Sequence, residues 1–332
     1  GAVGQDGSGI VGGGGVGRLG TLTISDAGDV NVNAAASVRT LSQTTGTGTT
    51  TIAGPVDTDD NAGPADGTGI DITTDTIAVN AGLDTLTGGD GEGVSLNADG
   101  NNGGAGTLTL AAAGDISSDG TVGLTGANGI TTAGDVTTTG DTVTYNSAVS
   151  LSGGIAIDTT SGGGSAGGVS FGSTVDGTET LTITAGTGAS ADVSFSGLVG
   201  DTNALGVVQI NNANDVTTNG FRSASLTQSA GSGTTTLNSG TFTGPTTEAL
   251  ATSGAGGVDL AADTVVVNHA VNTTGSGGVS LEADAGGAGA GTLTLAAAGD
   301  IDSDGTVGLT GANGITTAGD VTTTGDTVTY NS

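Results

Sequence analysis

The chain has 332 residues, of which 69 are glycine; cysteine, methionine and tryptophan are absent and aromatics make up 2%. Acidic residues number 33 against three arginines and no lysine, a formal charge of −30. That balance excludes nucleic acid and anionic membrane surfaces as partners. The missing cysteines exclude disulfides, and no apolar run approaches the ~20 residues that span a bilayer, so membrane insertion is not expected.

With so few aromatic side chains, any core must be narrow and lined by Val, Ile, Leu and Ala. From the N-terminal end, apolar residues alternate with polar ones in short runs: Leu22/Ile24, Val30/Val32, Leu108/Leu110, Val149/Leu151 and Leu181/Ile183. Disordered tracts lack this alternation, and it is the period of a half-buried strand. Residues Gly1–Gly4 have neither a charged start nor a long apolar stretch, so no signal peptide is expected there. Both ends fall inside repeats, which suggests a segment of a longer chain.

In the middle of the chain the aliphatic positions acquire a regular spacing. Leu110, Ile116 and Val122 are followed by Ile130, Val136, Val143, Val149 and Ile155, in steps of about six, so that three steps make about 20 residues. The spacing predicts three short strands per turn of a parallel coil, with equivalent strands about 4.8 Å apart. Aliphatic side chains would stack inside, with Thr, Ser and Asp facing water. Some 16 turns would make a rod of about 75–80 Å. The corners are marked by Gly-Asp before an aliphatic residue, as at Gly28-Asp29, Gly114-Asp115, Gly134-Asp135, Gly299-Asp300 and Gly319-Asp320. Here glycine is expected for its access to positive φ and Asp for bonding to local backbone.

Towards the C-terminus the chain repeats itself. Gly291–Ser332 copies Gly106–Ser147, 185 residues on, with only Ser117/Asp302 different. Such repetition builds length rather than one pocket. We therefore read residues 1–332 as one continuous all-β solenoid with a super-repeat of 185 residues, 1–185 and a partial copy 186–332. Asn80 and Asn268 correspond, as do Gln43 and Gln228, and are expected to bond along the stack or cap corners. The copies differ in length at Val56–Thr68 and Phe242–Ser253, where loops should project.

Asp135-Val136-Thr137-Thr138-Thr139-Gly140, followed by Thr144-Tyr145-Asn146-Ser147-Ala148-Val149-Ser150-Leu151, resembles a recurrent phrase of giant repetitive bacterial surface proteins. Val169–Gly177 with Thr180–Gly186 resembles a second. Those proteins are similar to filamentous-haemagglutinin-type adhesins. The resemblance is closest over residues 130–200 and implies a right-handed parallel β-helix, secretion, and a place at the cell surface or in a biofilm matrix.

The candidate sites are few. Asp57, Asp59 and Asp60, with Asn61 and Asp66 nearby, form the densest acidic cluster and are a candidate Ca²⁺ site, since alternating loop carboxylates suit that ion. The helix–loop–helix calcium pattern fails at Ala62 and Thr68, and the cluster does not recur in the second copy, so a solvated loop is the alternative. Gly88-Gly89-Asp90-Gly91-Glu92-Gly93 begins like a calcium-binding nonapeptide but has Gly93 where Asp is required. His269 is the single histidine, and its counterpart is Ala81. Gly12–Gly17 lacks the lysine of a phosphate loop. Sugar-cleaving clefts use aromatic platforms, which are scarce here, so the chain is not read as an enzyme. Thr-X-Thr pairs such as Thr107/Thr109 and Thr142/Thr144 do not recur on every turn, as an ice-binding face would require. The sequence thus predicts a structural extracellular fibre that self-associates or stacks end to end, with divalent cations as candidate partners. The alternative is the stalk of an adhesin whose binding tip lies elsewhere.

Overall fold

The computed structural model describes residues 19–58, 68–86, 91–100, 103–161, 166–243, 247–284 and 290–332. The chain forms two compact units, 1–167 and 168–332. The described residues contain strands and turns but no helix, and the architecture of each unit is an all-β parallel solenoid.

In the first unit three columns of strands wind upward. One face runs through Leu22, Leu41, Ile70, Val94, Val122 and Val143, each the register partner of the next in parallel strands. The second runs through Val30, Thr50, Ile77, Leu108, Ile130 and Val149. The third carries Ala36, Val56, Leu83, Ile116, Val136 and Ile157. Most of these strands are only two to five residues long, because a residue that must point inward recurs every second position and each side of so narrow a core holds two. Leu108, Leu110, Ile116, Val122, Leu124 and Val136 are all at most 1% exposed. Burying each such side chain stabilises the fold by about 1.5–3 kcal/mol relative to leaving it in water.

The second unit follows the same plan. Val169, Val193, Val216, Thr235, Val265, Leu293 and Ile315 make one column. Leu181, Val208, Leu226, Val258, Val279, Val307 and Val328 make another. The third is Phe221, Leu250, Val271, Ile301 and Val321. Three of the phenylalanine rings cluster here: Phe171 stacks on Phe195 at 5.1 Å between centroids, and Phe195 meets Phe221 edge-on at 5.4 Å.

The Gly-Asp corners are corners, but not for the reason the sequence suggested. Gly114, Gly134, Gly299 and Gly319 do not adopt positive φ. They are needed because successive corners nearly touch. A Cβ on Gly134 would lie 2.7 Å from the carbonyl oxygen of Gly114, and one on Gly319 would lie 2.5 Å from that of Gly299. At these four corners glycine is selected by close approach between turns.

A second correction concerns Thr and Ser, which do not all face water. Thr58, Thr85, Ser118, Thr138 and Thr159 are buried to 1% or less. They stand one behind another at the inner end of the third-face strands. Each of the last four donates its hydroxyl to a backbone carbonyl of the following corner: Thr85 to Glu92 O, Ser118 to Gly120 O, Thr138 to Asp141 O and Thr159 to Gly167 O, at 2.6–3.0 Å. Thr273, Ser303 and Thr323 do the same in the second unit, on Gly277, Gly305 and Asp326. A hydroxyl is chosen where an inward side chain must also satisfy a carbonyl that the corner turns away from the ladder.

Of the expected loops, residues 59–67 lie outside the described residues. In the other copy Gly240–Thr241 pairs with Thr247–Glu248 as an antiparallel hairpin, the one antiparallel strand pair among the described residues. Its base is fastened by Arg222, whose guanidinium lies 3.8 Å above the Phe242 ring and 3.6 Å from Glu248.

Candidate functional site

The most distinctive chemistry on the surface is the acidic corners. Asp115 Oδ1 accepts the amide N–H of Asp135 at 2.9 Å, and Asp135 Oδ1 accepts that of Ala156 at 2.7 Å. Asp29 does this for Thr49, Asp215 for Thr234 and Asp300 for Asp320, at 2.6–2.9 Å. In each case the donor is about one turn further along the chain. Asp was expected to bond backbone nearby in sequence; instead it bonds the next turn. A carboxylate that accepts an amide in this way ties turn to turn and is a charge-assisted link.

A stronger version occurs twice. Asp119 Oδ2 accepts the Gly91 amide at 2.8 Å and its Oδ1 accepts the Thr139 hydroxyl at 2.8 Å. One carboxylate thereby joins a strand-end in the preceding turn to one in the following turn. In the copied block Asp304 takes the Ser276 amide at 2.8 Å and the Thr324 hydroxyl at 3.1 Å. Gly91 and Ser276 both adopt left-handed backbone, φ 82 and 67, and both direct their amide at the carboxylate. The Ser276 amide, then the Thr324 hydroxyl, holds Asp304 below the usual carboxylate range. Asp201 is likewise held low by the Thr243 amide and hydroxyl. Asp141 moves the other way, raised by partial burial and by the neighbouring charge of Asp119.

Of the calcium candidates, Asp59 and Asp60 lie outside the described residues, as do Asn61 and Asp66. Asp57 ends a short third-face strand and is the register partner of Asp84 one turn on, whose own Oδ1 accepts the Leu86 amide at 2.9 Å. Among the described residues no three Asp, Glu, His or Cys side chains gather as a metal site.

The sequence reading passed over Glu92. It belongs to the glycine-rich motif set aside above, and Gly88–Asp90 lie outside the described residues. Glu92 is fully buried, its Oε2 accepting the Thr58 hydroxyl at 3.3 Å and its carbonyl oxygen the hydroxyls of Thr85 and Ser118 at 2.6 and 3.1 Å. A charged residue flanked by glycines was the available signal. Its role is to hold the hydroxyl column from within.

Gln43 and Gln228 are also interior rather than surface residues, each 1% exposed and accepting a hydroxyl, from Thr50 at 2.7 Å and Thr235 at 2.6 Å. Asn268 bonds Asn238 on the preceding turn at 2.9 Å, as expected of a stack-bonding amide. His269 Nδ1 accepts the amide of Ala270.

As chemistry, Asp29, Asp115, Asp119, Asp135, Asp215, Asp300 and Asp304 are acceptors committed to backbone and hydroxyl donors of adjoining turns. No helix among the described residues is long and apolar enough to cross a membrane. Comparison with known proteins leaves the chain without an assigned family, since no family model, no curated protein and no solved structure matches it.

Proposed function

We propose that the chain is a structural element of an extracellular or cell-surface fibre, built of stacked turns and serving reach and stiffness rather than catalysis. The observation that carries this reading is the use made of the carboxylates. Asp29, Asp115, Asp135, Asp215 and Asp300 each bond the backbone of the next turn, so the residues most able to do chemistry are spent on holding turns together. Their charge keeps the exterior solvated and open to screening by salt or divalent cations. The surface-protein phrases around Val136 and Val169 support an external location.

A second reading is the stalk of an adhesin. It is favoured by the same phrases, since the proteins they resemble present binding regions outside their repeats. Immunogold microscopy of native cells, with an antibody against the Gly106–Ser147 block, separates the two. Label at regular intervals along continuous fibres or a sheath is the expected result. Label confined to slender rods with an unlabelled head would replace the fibre by the stalk, and label inside the cell would overturn both.

A further inference from the structure

The pair Asn-Gly occurs at 128–129, 219–220 and 313–314, and also at 102–103, where Asn102 lies outside the described residues. This pair has a reactivity that other asparagines share only weakly. The main-chain nitrogen of the following residue attacks the carboxamide carbon, and glycine, having no Cβ, hinders that approach least. In a folded chain the attack depends on what holds the two groups apart, and the solenoid holds the three described pairs differently.

Asn219 is locked. It ends the strand Val216–Asn219, and its Nδ2 donates to the Ser196 carbonyl at 3.2 Å. The Gly220 amide, which would be the nucleophile, donates to the Asn238 carbonyl of the next turn at 2.9 Å, and Gly220 is itself buried. Asn128 is held far less. It lies in the turn between the strands Val122–Gly126 and Ile130–Thr132, is exposed, and has no hydrogen bond on its carboxamide among the described residues. The Gly129 amide makes the turn's own bond, to the Gly126 carbonyl at 2.8 Å. Opening that one bond frees the nucleophile beside a side chain already free, while the strands on either side keep their ladders. Chain runs above and below this corner: the Asn128 amide donates to Gly106 of the preceding turn, and the Ile130 amide to Ala148 of the next. The exposure of Asn128 therefore belongs to the turn. The copied block repeats the turn at Asn313, with the Gly314 amide on the Gly311 carbonyl at 2.9 Å. Gly129 and Gly314 both have positive φ, 104 and 115.

We propose that Asn128 and Asn313 are sites of spontaneous deamidation, with water as the co-reactant. The Gly129 nitrogen bonds to Asn128 Cγ, and the side-chain nitrogen departs as ammonia, taking up the amide proton, which leaves a five-membered succinimide. Water then opens the ring at either carbonyl, giving aspartate or isoaspartate. Each event adds one negative charge to a chain that carries −30, and isoaspartate also adds one atom to the main chain. At Asn128 that atom must fit between two bonds to the preceding turn, from the Asn128 amide to Gly106 at 2.7 Å and from the Leu108 amide to Gly129 at 3.3 Å. Each copy of the block thus carries a clock in this turn, and the fraction converted records the age of the chain. The modification is the same whether the chain serves a fibre or a stalk.

The test follows the 332-residue chain in mildly alkaline buffer over weeks, with a parallel sample kept unfolded in urea. Peptide mass mapping reads the mass gained as the side-chain NH₂ gives way to OH, and a split chromatographic peak reads isoaspartate. Dividing each folded rate by the same pair's rate in urea removes the effect of neighbouring residues. That ratio should be at least about tenfold larger at Asn128 and Asn313 than at Asn219, the difference between opening one turn bond and opening a strand ladder. Asn128→Gln, which would have to close a six-membered ring, should abolish conversion at that position while Asn313 still converts and the thermal melt stays cooperative. Asn219 keeping pace with Asn128, either turn asparagine lagging to the ratio of Asn219, or continued conversion at position 128 in the Gln variant overturns the assignment. None of these results bears on the immunogold experiment, so the two readings fail separately.

Discussion

Asp119 takes the amide of Gly91, 28 residues earlier, through one carboxylate oxygen and the hydroxyl of Thr139, 20 residues later, through the other. Asp119 is nearly buried, at 9% exposure, so its bonds are made to a largely desolvated carboxylate. Asp119→Ala is expected to cost about 1–3 kcal/mol in urea unfolding. Asp304→Ala, at the more exposed copy of the same clamp, should cost less. Equal losses would show that the clamp does not act through desolvated bonds.

Ser276 occupies in the second clamp the left-handed position that glycine occupies in the first. A side chain there costs about 1–2 kcal/mol. Ser276→Gly should therefore raise stability by up to about 1 kcal/mol, part of the gain being lost to the freer unfolded chain. A fall in the urea midpoint would contradict this.

Two glycine positions separate close approach from mere small size. A Cβ on Gly134 would meet the Gly114 carbonyl, while one on Gly123 would have nothing within 4 Å. Gly134→Ala should destabilise by about 1–3 kcal/mol, and Gly123→Ala should be neutral or stabilising by about 0.4–1 kcal/mol. Thermal melts of the two variants side by side decide it.

Thr138→Val removes the hydroxyl that serves the Asp141 carbonyl and changes the shape of the side chain little. The expected loss is about 1–2 kcal/mol. The same change at Thr323, whose surroundings are open, should cost less because water can take over the carbonyl.

The acidic groups give the fold opposing responses to pH. Asp201 and Asp304 are held low, so their contributions are present above the unfolded carboxylate value, about 3.9. They are lost as pH falls through the folded values. Asp141 is raised, so its contribution is present below the unfolded value and lost as pH rises through the folded one. Asp201→Asn should flatten the acid limb of a stability-against-pH curve. Asp141→Asn should stabilise at pH 7 and lose that advantage at pH 3. The reverse ordering at the two pH values would remove the electrostatic account of both.

The architecture was readable because alternation along Leu108–Leu110 or Val136–Thr138 has a direct physical meaning: every second side chain points inward. The hydroxyl column was not readable from Val136-Thr137-Thr138, since one Thr faces out and the next faces in, and the same side chain suits both places. Asp57, Asp59 and Asp60 stand out by their density along the chain, and Asp59 and Asp60 lie outside the described residues. In a coil of about 20 residues per turn, however, the neighbours that matter are a turn away. Asp57 is accordingly the register partner of Asp84, and Asp115 accepts the amide of Asp135. Glu92 escaped notice for the same reason, because Thr58, Thr85 and Ser118 gather around it only after coiling.

The links from Asp29, Asp115, Asp135, Asp215 and Asp300 join a turn only to the one beside it, and the strand pairing does likewise. Under tension such a stack is loaded in series. A turn that yields frees about 20 residues, or roughly 60–70 Å of extended chain, while its neighbours keep their own bonds. The protein would thus lengthen in discrete steps and dissipate work at each one, as a shock-absorbing tether does, with the acidic corners setting the force at which each step gives way.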